Sequence, residues 1–137
     1  MKMNIIKTEY YELIIDDSSS AAGEMLSIIS KLNISLLAYK SLSIGMNKTK
    51  FTLFAIKSKD MSNEIIKEGY AVEGPFPGLF IDGDDVPGAL EDIFKKLSVE
   101  RIKVIESFGI ANINNGYGVV LYLNSEDIEN AYSALSE

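Results

Sequence analysis

The apolar positions change period several times along the chain. Residues 10–15 carry Tyr10, Tyr11, Leu13, Ile14 and Ile15 broken only by Glu12, which predicts a strand whose start reaches back as far as Met3. Asp16, Asp17, Ser18, Ser19 and Ser20 end it. Beyond them Ala22, Met25, Ile28, Ile29 and Leu32 share one helical stripe, while Glu24, Ser27, Ser30 and Lys31 fall elsewhere. The pattern predicts an amphipathic helix with serines capping its start. Residues 37–44 and 51–56 are predicted strands joined by a turn through Gly45, Met46, Asn47 and Lys48. Asp60 caps a predicted short helix over 61–67, with Ile65 and Ile66 as its buried face and Gly69 as its stop. Residues 70–72 form a candidate fourth strand.

The same order then begins again. Gly74-Pro75-Phe76-Pro77-Gly78 is the best linker candidate, because glycine and proline punctuate structure. A strand over 79–81 leads into a helix whose stripe is Leu90, Ile93, Phe94 and Leu97. Glu91 and Asp92 sit in its first turn and Lys95 and Lys96 near its last, the sense a helix dipole favours. Residues 102–110 and 119–123 are paired strands around the hairpin signal Asn114-Asn115-Gly116. Ser125 caps a last helix with Ile128, Ala131, Tyr132 and Leu135 inward.

A shift of 65 residues overlays the halves, placing Asp17 on Asp82, Gly23 on Gly88, Met25 on Leu90, Ile29 on Phe94 and Leu32 on Leu97. Each copy reads βαββα, with a final strand plain only in the first. The expected fold is α+β: two ferredoxin-like βαββαβ domains in tandem, residues 1–73 and 74–137, each an antiparallel sheet with helices on one face. Residues 3–7 are placed to supply the missing last strand of the second domain by crossing over.

Composition narrows the function. The 137-residue chain is long enough to bury a real core, and it is 47% apolar and 24% charged, as a globular domain is. Thirteen basic residues against twenty acidic ones leave a net charge of −7, which repels a phosphate backbone and argues against nucleic acid. With neither cysteine nor histidine, the chain has no disulfide, thiolate zinc site, cysteine nucleophile or imidazole base. No apolar run reaches membrane-spanning length and the N-terminus lacks a secretory pattern, so the expected address is cytoplasmic.

The candidate chemistry lies in Asp82-Gly83-Asp84-Asp85-Val86-Pro87-Gly88-Ala89-Leu90, the end of a strand, a tight loop and the first turn of a helix. Val86 precedes proline and is pushed out of helical dihedrals, so the helix is expected to start at Pro87. Its first N–H groups have no partner in the helix and carry the positive end of the dipole, which suits a small carboxylate. In the alternative reading, Asp84 or Asp85 caps the helix and Gly88 lets it pack closely on the next strand. Asp82, Asp84 and Asp85 suggest calcium only weakly, because Ile93 stands where an EF-hand needs its bidentate glutamate. Ser18-Ser19-Ser20 has no histidine to activate it, and no lysine stands at a spacing that suggests a base in its place. Phe108 lacks the basic and aromatic company of an RNA-binding sheet.

Residues 85–90, the stripe Ile93, Phe94 and Leu97, and Ile102 and Val104 at the head of the next strand resemble the ACT domain, the small-molecule-sensing module attached to many enzymes of amino-acid metabolism. The likeness runs from about Leu79 to Leu135 and takes in Gly116-Tyr117-Gly118. It implies a non-catalytic regulatory module without metal or cofactor, binding an amino acid between two such domains, or else a dimerisation module with no functional ligand. The implied partners are a second copy of the chain and an enzyme of amino-acid metabolism, with neither nucleic acid nor membrane. Carried over by position, the ligand contacts are Asp84, Asp85, Val86, Pro87, Gly88 and Ala89, with Ser107 and Phe108 from the strand. At the shift of 65, Ser20 takes the place of Asp85 and Gly23 that of Gly88, making these two the first copy's counterparts. Free N–H groups would hold the ligand's carboxylate and Asp84 or Asp85 its ammonium, one aspartate having to face away from the carboxylate.

Overall fold

A computed structural model describes residues 3–16, 20–56, 61–84, 86–112, 114 and 116–136. The elements are β1 (Met3–Asp16), α1 (Ala21–Lys31), β2 (Ala38–Ser43), β3 (Lys48–Ile56), α2 (Met61–Lys67), β4 (Glu73–Asp84), α3 (Ala89–Val99), β5 (Val104–Asn112), β6 (Gly116–Leu123) and α4 (Ile128–Ser136), with a 3₁₀ turn at Ser125–Asp127 before the last helix. The strands hydrogen-bond in the order β2-β3-β1-β4-β6-β5. The registers of β2 with β3, β4 with β6 and β5 with β6 are antiparallel.

The chain divides into two compact units, Glu9–Phe76 and the remainder, in which Met1–Thr8 joins Pro77–Glu137. Residues 3–7 therefore do cross over: Met3 and Ile5 pack on the core formed by Leu79, Ile81, Ile93, Leu97, Leu121 and Leu135. The core of the other unit is Tyr11, Leu13, Met25, Ile29, Phe51, Leu53, Ala55, Met61 and Ile65. In both, the residues alternate along the strands and recur every three or four along the helices, so both helices of a unit cover one sheet face.

Several sequence expectations change. Residues 74–78 are extended strand, part of β4, which runs unbroken from Glu73 to Asp84, and the boundary between the two units falls among them, after Phe76. Gly74 has φ +125, and a Cβ there would stand 2.9 Å from the Tyr10 carbonyl oxygen, so glycine is required by both conformation and space. In α2 the buried pair is Met61 and Ile65, with Ile66 exposed. Asp60, the expected cap of α2, lies outside the described residues, as do Asp17, Ser18, Ser19 and Asn115. The final helix is entered from Asn124, with Ser125 inside the 3₁₀ turn.

The shift relating the halves is 68, not 65. Buried Tyr11, Leu13, Met25, Ile29, Phe51 and Leu53 then correspond to buried Leu79, Ile81, Ile93, Leu97, Val119 and Leu121. At 65, buried Met25 would match Leu90, which is 52% exposed. Three residues along a helix fall within about 60° of a full turn, so an apolar stripe tolerates the slip. On a strand the same slip exchanges the two faces, and the sheet decides the register.

Candidate functional site

β4 delivers the chain to the loop before α3. The Val86 N–H donates to the Asp84 carbonyl at 3.1 Å and the Ala89 N–H to the Val86 carbonyl at 3.1 Å, closing two tight turns in succession. Gly88 follows Pro87 in the left-handed region with φ +88 and is the N-cap. The helix thus begins at Ala89, two residues later than Pro87 suggested. The Asp92 N–H donates to the Gly88 carbonyl at 2.9 Å, the first full helical turn. The N–H groups of Leu90 and Glu91, just before it in the first turn, have no acceptor in their own helix.

A cleft of about 460 Å³ opens beside this helix end. Its floor and one wall come from the loop and α3, through Val86, Gly88, Ala89, Leu90 and Glu91. The other wall comes from β5 and β6, through Gly109, Ile110, Ala111, Tyr117 and Val119. Gly109 pairs with Val119 and Ala111 with Tyr117, so these four positions share the sheet face on which the helices lie. A Cβ on Gly88 would meet nothing within 4 Å, so this glycine answers the positive φ and not a close contact with the next strand.

The structure brings Val86, Gly88 and Ala89 together at the cleft, with Pro87 exposed in the turn between them. It separates the rest of the expected set. Asp85 lies outside the described residues. Asp84 pairs with Gly116 and lines a different cleft of about 510 Å³, with Asp82, Phe80 and Asn112, on the opposite sheet face. Neither Ser107 nor Phe108 lines the Gly88 cleft, which takes Gly109, Ile110 and Ala111 instead. Ser107 pairs with Leu121 near the far end of β5, and Phe108, paired with Val120, is on the other face and 49% exposed.

In the Glu9–Phe76 unit, Ser20 is the N-cap of α1 and so corresponds to Gly88. Its backbone is right-handed (φ −100, ψ −1), and its hydroxyl meets a Glu24 carboxylate oxygen at 3.1 Å instead of capping an N–H. Gly23 is the third residue of α1 with an ordinary helical φ, and it corresponds to Glu91. The pairing of Gly23 with Gly88 therefore fails.

Tyr117 borders the Gly88 cleft, the Asp84 cleft and a third concavity of about 420 Å³ at Met3, Asp92, Lys96 and Tyr132. Burial, then the charges of Asp82, Asp84 and Asp92, hold its phenol above the usual tyrosine pKa. Lys96 and Asp92, one turn apart on α3, approach to 3.5 Å beside the third concavity. Among the described residues no three carboxylates gather in a way that would hold a metal, and no helix is long and apolar enough to cross a membrane.

No protein-family model matches the chain, and no curated protein matches it in sequence. Solved structures do match in fold. Protein BT0572 from Bacteroides thetaiotaomicron aligns over 96% of this chain and 87% of its own at 22% identity, with a TM-score of 0.73. The ligand-free regulatory subunit of aspartate kinase from Thermus thermophilus aligns over 99% and 96% at 11% identity and a TM-score of 0.66. The corresponding subunit from Thermus flavus aligns over 98% and 94% at 11% identity and a TM-score of 0.59. The chain has a fold of the ACT type. In particular, it shares the α+β architecture of the aspartate kinase regulatory subunits.

Proposed function

We propose that the chain is a non-catalytic regulatory module made of two ferredoxin-like ACT-type domains in tandem. It binds an amino acid at the open end of α3, against a domain of a second copy in a homodimer, and an enzyme of amino-acid metabolism in the cytoplasm reads the occupied state. The observation that carries this reading is the cleft beside Gly88, which the N-cap and the first turn of α3 line and where a Cβ on Gly88 would enter open space. The strand order supports the domain assignment. Each unit places its first strand between its third and fourth, with its second at the edge, the ferredoxin-like arrangement.

Thermal denaturation of the full chain with each of the twenty amino acids tests the proposal. A ligand at a hundred times its Kd adds about 2.7 kcal/mol to the stability of the state that binds it. That corresponds to a rise in Tm of roughly 5–10 °C for a chain of this size. A saturable rise for one amino acid or a few is the expected result. The exposed Leu90, Phe94, Ile105 and Ile110 favour a second reading, a dimerisation module without a ligand. Silence across the panel, with a dimer by sedimentation, would select it.

A further inference from the structure

We infer that the sheet faces turned away from the helices form an interface between two copies of the chain, the face of the Glu9–Phe76 unit in one copy meeting that of the other unit in its partner. The strands divide the charge. β2 and β3 hold Lys40, Lys48 and Lys50 and no acidic residue. β4, β5 and β6 hold Glu73, Asp82, Asp84 and Glu106 and no basic one. Alternation along each strand then sorts these charges onto one side. Phe51 and Leu53 are core, so Lys48 and Lys50 point away from the helices, and so does Lys40, which pairs with Thr52. Ile81, Val119 and Leu121 are core, so Asp82 and Asp84 point away too, as does Glu106 opposite Tyr122. β1 adds Glu12 and Asp16 to the first face, with Glu12 bound to Lys50 at 2.8 Å. Among the described residues three lysines still outnumber them, and the second face has no cation to offset its carboxylates.

Both faces are also apolar and hollow. Ile14 and Leu42 on the first are 55% and 52% exposed, and Phe108 and Ile110 on the second are 49% and 67% exposed. The first holds a concavity of about 570 Å³ at Glu12, Ile14, Ile44 and Lys50. At the shift of 68 these four correspond to Phe80, Asp82, Asn112 and Gly118, which line the 510 Å³ cleft of the second. Covering the exposed apolar side chains favours association, and the charges choose the partner. A face set against its own kind would bring lysine to lysine or carboxylate to carboxylate. Unlike faces bring lysines to carboxylates. The surface that complements each face is thus carried by this chain, which names a second copy as the occupant.

Sedimentation equilibrium of the full chain at low and high salt tests this, together with two charge-reversed variants. One carries Lys40→Glu and Lys48→Glu, the other Asp84→Lys and Glu106→Lys. Lys48→Glu and Glu106→Lys alone, both at exposed positions, guard against a double variant that folds poorly, and circular dichroism checks the fold of each. The expected result is self-association that weakens with salt and weakens about tenfold or more in either variant. Mixing the two variants in equal amounts should restore it, because each then supplies the face the other needs. A chain that stays monomeric throughout overturns this interface and the homodimer proposed above. An association that neither reversal weakens, or folded variants that do not recover on mixing, overturns this interface alone and leaves the amino-acid site to its own thermal test.

Discussion

Asn33 and Arg101, 68 positions apart, hold the same left-handed backbone, with φ of +58 and +57. Each ends a helix in the same way. The Asn33 N–H donates to the Ser30 carbonyl and the Arg101 N–H to the Ser98 carbonyl, both at 3.0 Å. The next residues, Ile34 and Ile102, donate back to Ile29 and Leu97. This is a Schellman-type stop, and the position favours glycine or asparagine. Asparagine tolerates the conformation; arginine does not. Arg101→Gly is therefore expected to raise stability by up to about 1 kcal/mol, as relief of left-handed strain outweighs the extra freedom of the unfolded chain. Asn33→Gly should change it by less, and urea denaturation of the two variants compares them directly.

The register of 68 makes its own prediction on α3. Ile93 is 1% exposed and corresponds to buried Met25, whereas Leu90 is 52% exposed. Ile93→Ala should cost roughly 2–5 kcal/mol, by lost burial and an unfilled cavity. Leu90→Ala should stay within about 0.5 kcal/mol. Equal losses in chemical denaturation would restore the register of 65.

How far the sequence carried the structure depended on which physical signal was used. Strand and helix identities followed from period and turn residues, and the crossing N-terminal strand from an apolar run, 3–7, without another partner. The repeat offset did not, because Gly23 and Gly88 are both glycines near a helix start but answer different needs: one lies inside a helix and the other has φ +88. Residues 74–78 misled in a similar way. Two prolines and two glycines ordinarily interrupt structure, yet here they lie within β4, where Gly74 fits against Tyr10 and Tyr11. The Gly88 loop was legible as a helix opening, since Pro87 constrains it. Its facing wall depended on pairing across the β5–β6 hairpin, a long-range register that local periodicity does not encode.

Gly74 and Gly88 have positive φ for different surroundings, and alanine separates them. At Gly88 a Cβ enters open space, so Gly88→Ala costs only backbone strain, about 1–2 kcal/mol. At Gly74 the added atom also meets the Tyr10 carbonyl oxygen at 2.9 Å and the Tyr11 ring at 3.0 Å. Gly74→Ala is expected to lose roughly 2–4 kcal/mol, strain and overpacking together. Denaturation midpoints in guanidinium rank the two, and a larger loss at Gly88 would contradict the geometry.

Tyr117 links the clefts to pH. Its pKa is raised first by burial and then by Asp82, Asp84 and Asp92, so the folded chain holds the phenolic proton more tightly than the unfolded chain does. The sign follows from linkage. The contribution to stability is fully present below the unfolded tyrosine pKa of about 10, and it is lost as pH rises through the higher folded value. Stability measured against pH should fall over that alkaline window, and Tyr117→Phe should flatten that part of the fall. Asp82→Asn and Asp84→Asn each remove a negative neighbour, so each should bring the phenolate absorbance of this residue up at lower pH. A ligand bound in the Gly88 cleft excludes more water from the ring, adds to the burial that dominates the shift, and moves the same absorbance further toward high pH. A shift in the opposite direction on ligand addition would mean that the bound molecule brings positive charge to Tyr117.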